Sequence, residues 1–78
     1  MKAIIIVAAK FLLARILTAE NVARVTTLVN IMSNTDMTSK EKREKVVEGL
    51  KNAAPEVAES IARLSVELAV YLLKAGSA

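Results

Sequence analysis

Residues 3–17, AIIIVAAKFLLARIL, hold only two polar side chains, Lys10 and Arg15. Wound as a helix, the large apolar residues of this run do not gather on one face. Leu12, Ile5, Ile16, Leu13, Ile6 and Leu17 cover one arc of about 140°, and Val7, Phe11 and Ile4 sit on the far side. A helix that is apolar nearly all round must be covered by protein, by another copy or by lipid. The opening segment therefore demands partners before anything else about the chain is known.

The rest of the composition sharpens that demand. Seventy-eight residues make a single domain, 1–78. A domain near this size buries only about 60% of its unfolded surface. Yet 54% of the residues are hydrophobic, more than a small core can hide. The surplus belongs in an interface or a membrane. Phe11 and Tyr71 are the only aromatics, so the apolar mass is aliphatic and suited to helix–helix packing. Cys and His are both absent, which removes disulfides, thiolate chemistry and the commonest general base and metal ligand. A net charge of +3 is too small to imply nucleic acid or anionic lipid as a partner.

Met1-Lys2 and the run that follows have the outline of a signal peptide, but Lys10 interrupts the apolar stretch and no small-x-small site follows. As a membrane span the run is short, about 22 Å against a hydrocarbon core of about 30 Å. Lys10 costs roughly 3 kcal/mol on insertion scales, which the nine large apolar residues only just offset at about 0.3–0.6 kcal/mol each.

Periodicity and cap residues predict helices over 2–16, 19–33, 39–53 and 55–75. Thr18 reads as an N-cap, with Glu20 and Asn21 in the next turn and Leu17 and Val22 at the spacing of a hydrophobic staple. The alternative is one helix running on to Met32. In the second segment Val22, Val25, Val29 and Met32 form the apolar stripe, and Arg24, Thr26, Thr27 and Asn30 the wet side. Ser33–Thr38 is a loop, and Thr38 with Glu41 forms a capping box. The third helix opens on the charge run KEKREK and continues with Val46, Val47, Leu50, Ala53 and Ala54. Gly49 in its middle marks either a weak point or a close approach. Pro55 suits the first turn of the fourth helix, and Gly76 its C-terminal stop. In that helix Val57, Ile61, Leu64, Leu68, Tyr71 and Ala75 step as a heptad seam. A neighbouring row of small residues, Ala58, Ala62, Ser65 and Ala69, would admit a second helix closely. Val66, Val70 and Leu73 add a third strip.

No pattern for catalysis emerges. Glu41, Glu44 and Glu48 share one helix face and Glu56, Glu59 and Glu67 another, but all are interleaved with Lys and Arg on solvated stripes. The two glycines form no phosphate loop, so no cofactor, metal or small-molecule substrate is expected. Lys40, Lys42, Arg43, Lys45 and Lys51 make a basic cluster, but three glutamates cut its charge and no aromatic residue interleaves for base stacking. Nucleic-acid binding is disfavoured. Lys10 and Arg15 are expected at an edge of the bundle, their stems packed and their heads in water, or in contact with lipid headgroups or a partner's carboxylates.

Three stretches, AIIIVAAKFLLARIL, KEKREKVVEGLK and PEVAESIARLSVELAVYLLKAG, give the chain a pattern that resembles the small helical proteins of tailed bacteriophages, holin-like ones in particular. Lys10 and the shortness of the apolar run depart from that pattern. The resemblance implies a viral accessory or virion component acting through helix association. The expectation is a non-enzymatic, all-α bundle of three to four helices that self-associates through its first and last helices, inside a cell or in a virion. Ile5, Leu12, Leu13 and Ile16 with Leu64, Leu68 and Leu72 are the expected contacts. The alternative places helix 2–17 in a bilayer.

Overall fold

Four helices follow one another in a computed structural model that describes residues 2–76: α1 (Lys2–Ile16), α2 (Ala19–Ser33), α3 (Ser39–Ala53) and α4 (Glu59–Lys74). Met1, Ser77 and Ala78 lie outside the described residues. The chain is all-α, as its periodicity predicts. α4 is the hub and packs on the other three helices, while α2 and α3 pair with each other. α1 leans on α4, touches α2 lightly and does not reach α3. The short dimension of the molecule is 18 Å, about two helices thick.

The breaks between helices have local causes. After Leu17 the backbone turns extended at Thr18, whose hydroxyl accepts from the Asn21 N–H at 3.2 Å, so α1 and α2 are separate helices. The polar run after α2 caps its end. Ser33 Oγ and Asn34 Nδ2 donate to the Asn30 carbonyl, and Thr35 Oγ1 donates to that of Met32. These side chains satisfy carbonyls that the helix cannot. Thr38 and Glu41 then form the expected capping box. At the far end of α4, Gly76 takes φ 77°, a left-handed conformation that glycine adopts freely, and its N–H closes on the Leu73 carbonyl at 3.0 Å.

The fourth helix starts four residues later than Pro55 suggests. Ala54, the C-cap of α3, leaves the helical region at φ −139° and ψ 72°, in keeping with the bias of a residue before proline against helical backbone. Residues 54–57 then make a turn, closed by the Val57 N–H on the Ala54 carbonyl at 3.0 Å, and Lys51 Nζ donates to the Val57 carbonyl. Val57 is thereby buried in the core. Pro55 serves the turn instead of a helix start, and α4 begins behind Ala58, which offers its helix no side-chain cap.

The core runs through Leu13, Val25, Val29, Val46, Leu50 and Val66. Two polar side chains are buried with it. Ser65, fully buried, donates to the Ile61 carbonyl at 2.7 Å, and Asn21 accepts from Arg24 Nη1 at 2.8 Å. Both are satisfied locally, so neither carries the cost of an orphaned group. The α3 face that turns inward is centred on Val46, Val47 and Leu50, and Ala53 is exposed. Gly49 marks a close approach: a Cβ there would lie 3.1 Å from Leu28 Cδ1 of α2. On the surface, Arg63 bridges α4 to α3. It bonds Glu44 at 3.1 Å and Glu59 at 3.2 Å, and these carboxylates, Glu44 above all, raise its pKa beyond the ordinary guanidinium value.

Candidate association surface

α1 grips the bundle through a narrow stripe. Ala9, Leu13 and Leu17 are buried, with Ile6 and Ile16 packed beside them. Its C-terminal end meets the turn into α4 across a cleft lined by Ile16, Leu17, Val57 and Ile61. Everything beyond that stripe faces outward. Ile4 is 70% exposed, and Val7 and Phe11 are each 64% exposed. These three form the far side of the helical wheel. Ile5 and Leu12, on the rim of the docked arc, are also open to solvent. A soluble helix normally turns charged residues this way. Here the apolar side chains are left uncovered by the described residues.

Lys10 and Arg15 stand at the two borders of the outer strip. At 100° per residue, about 140° of arc separates them, and Val7, Phe11 and Ile4 lie between. Both cations are exposed. The Arg15 guanidinium sits over the Phe11 ring, 5.7 Å from its centroid, and so covers apolar surface while its charge stays in water. α1 carries no acidic residue.

The seven expected contact residues divide three ways. Leu13 and Leu72 belong to the core of the single chain. Ile16 and Leu68 are partly buried against it. Ile5, Leu12 and Leu64 remain exposed and are free to meet a partner. On α4 the heptad seam is not the buried face. The row of small residues is: Ala62, Ser65 and Ala69 sit at the centre of the packing with Val66 and Leu72. Small side chains let α4 lie close to three neighbours at once, and the seam turns to the edge, where Leu64 and Tyr71 stay exposed.

The basic cluster of α3 does not form a continuous cationic face. Lys51 is tied to the Val57 carbonyl, and Arg43 faces Glu67 at 2.9 Å. That contact is an ion pair without a directed hydrogen bond, because the buried Arg43 Nε–H does not point at the carboxylate oxygen. Arg43 instead lines a small cleft where α2 ends, α3 begins and α4 ends. The floor is Val29, Met32, Val46, Val70 and Leu73, and the rim carries Lys42, Arg43 and Lys74. Nothing in the spacing of the sequence brings Lys74 to Lys42; only the packing of α3 on α4 does. Among the described residues no three acidic side chains gather as a metal site would need, and no helix is long and apolar enough to cross a membrane. Comparison with protein-family models, with curated proteins and with solved structures found no match.

Proposed function

We propose that this protein is a non-enzymatic assembly module that self-associates through the outer face of α1. The observation that carries the proposal is the exposure of Ile4, Ile5, Val7, Phe11 and Leu12 on one helix whose opposite stripe is docked. The outer face alone is about 22 Å by 10 Å, roughly 220 Å², well below the approximately 800 Å² per partner of a standard interface. A second copy must therefore also cover the α4 edge at Leu64 and Tyr71. Lys10 stays at the rim of such a contact, and Arg15, between Ile4 and Leu12 on the wheel, lays its stem over Phe11 and keeps its charge in water. A viral accessory or virion role, as the resemblance of the sequence implies, is compatible with a module of this kind.

Size exclusion with light scattering in detergent-free buffer tests the proposal. The expected result is a discrete oligomer that Phe11→Glu converts to monomer without unfolding it. A wild-type monomer at about 100 μM, above the micromolar end of the affinities of standard-size interfaces, overturns it.

A second reading rests on a separate observation, the cations on both borders of the outer strip. Such flanking suits a helix lying in the plane of a membrane interface, its apolar strip in the acyl boundary and its cations among anionic headgroups. Co-sedimentation with anionic vesicles supports this reading, and indifference to vesicles rejects it.

A further inference from the structure

The cleft between the ends of α2, α3 and α4 has a chemistry that the association surface does not use. We propose that it binds a small amphipathic carboxylate, a short aliphatic chain ending in one anionic head. The floor, with Val46, Val70 and Leu73, is aliphatic and would take the chain. The rim, Lys42, Arg43 and Lys74, would take the head.

Charge complementarity carries the choice of ligand. Three cations face the cleft against one carboxylate, Glu67, which pairs with Arg43. The C-terminal ends of α2 and α4 and the N-terminal end of α3 also converge there. Each helix end counts for about half a charge, so the two negative ends and the one positive end leave the cleft positive by about 1.5 charges. A bare inorganic anion would satisfy the rim and leave the aliphatic floor in water. A neutral hydrocarbon would satisfy the floor and leave the rim unanswered.

Arg43 favours a carboxylate head. Its Nε is buried and makes no directed hydrogen bond, and among the described residues none bonds its terminal nitrogens. A guanidinium fork with open donors matches the two oxygens of a carboxylate. Unlike Arg43, which is paired with Glu67, half-buried Lys42 and exposed Lys74 make no ion pair among the described residues.

A methyl-resolved NMR titration of the full chain with sodium octanoate, below its micelle concentration, tests the site. The expected result is saturable shifts at the Val46, Val70 and Leu73 methyls. 1-Octanol, of equal chain length and no charge, should bind at least about tenfold more weakly, as should octanoate to the Lys42→Gln, Lys74→Gln double variant. That variant removes two charges and no core contact, so its fold is kept. Equal binding of octanol and octanoate overturns the proposal. So do shifts confined to Ile4 and Val7 on the outer face of α1, which would mark unspecific adsorption, and so does the absence of any saturable shift.

Discussion

α1 and α4 are the two most apolar helices of the molecule, of nearly equal length, and the fold treats them in opposite ways. α4 is packed on every other helix, while α1 is held by one stripe and left open on the rest. Amount of apolar surface does not explain the difference, because α1 has more of it. Direction does. The apolar residues of α4 point to one side and its charges to the other, and its innermost positions are small. α1 points apolar groups in all directions, so a bundle of this size can cover only one of them. A helix without a preferred face ends at the periphery, and its uncovered side is the surface on which the proposed association rests.

The largest expected effect tests that difference directly. Leu72→Ala in α4 and Leu13→Ala in α1 remove the same buried atoms, each costing about 2–5 kcal/mol of local packing. A chain of this length has about 4–12 kcal/mol in total. Leu72 lies in the hub, so its loss should lower protection against hydrogen exchange in all four helices. Leu13 lies in the docking stripe, so its loss should release α1 and leave the amides of α2, α3 and α4 protected. Equal loss of protection everywhere in both variants would erase the distinction between hub and periphery.

A smaller effect concerns how α4 became the hub. Ala62 is fully buried on its inner face. Ala62→Leu adds three carbons where neighbouring helices already touch, and overpacking of this kind costs about 1–3 kcal/mol. Urea denaturation should show the loss with little change in the slope of the transition. A neutral outcome would mean that close approach along the small-residue row is not what holds the hub in place.

Much of this was legible in the chain. Thr18, Thr38 and Gly76 announce their helix ends because capping is a local matter between a side chain and nearby backbone. The buried faces of α2 and α3 follow from their periodicity. Two things were not legible. Pro55 permits either a helix start or a turn, and the turn buries Val57 beside a cleft that Ile16 and Leu17, from a distant part of the chain, also line. On α4 three apolar strips compete to face inward, and periodicity ranks the large residues first. Packing on three neighbours chose the small ones. The cationic cleft was hidden for the same reason, since it exists only where three helix ends meet.

A gain in stability is also expected, and it comes from the late start of α4. Ala58 holds N-cap geometry, φ −64° and ψ 148°, yet has no side-chain oxygen to offer. It is exposed, so a hydroxyl there displaces nothing from the core. Ala58→Ser should raise stability by about 0.5–1 kcal/mol, read as a rise of several degrees in Tm for a domain of this size. No gain would show that the backbone N–H groups at the start of α4 are already well solvated.

The smallest effect on the isolated chain carries the most weight for function. Ile4→Ser with Val7→Ser alters two of the most exposed side chains of α1 and touches no buried one. Surface changes of this kind leave stability within about 0.5 kcal/mol, so dilute wild type and variant should melt together. Concentration should separate them. If copies associate through the outer face, the oligomer is a ligand of the folded state, and the wild-type Tm must rise with protein concentration by mass action. The variant, with its face made polar, should show a Tm that does not move. Parallel behaviour of the two at every concentration would mean that the open face of α1 is surface left over by a small core, and that association, if any, uses another part of the molecule.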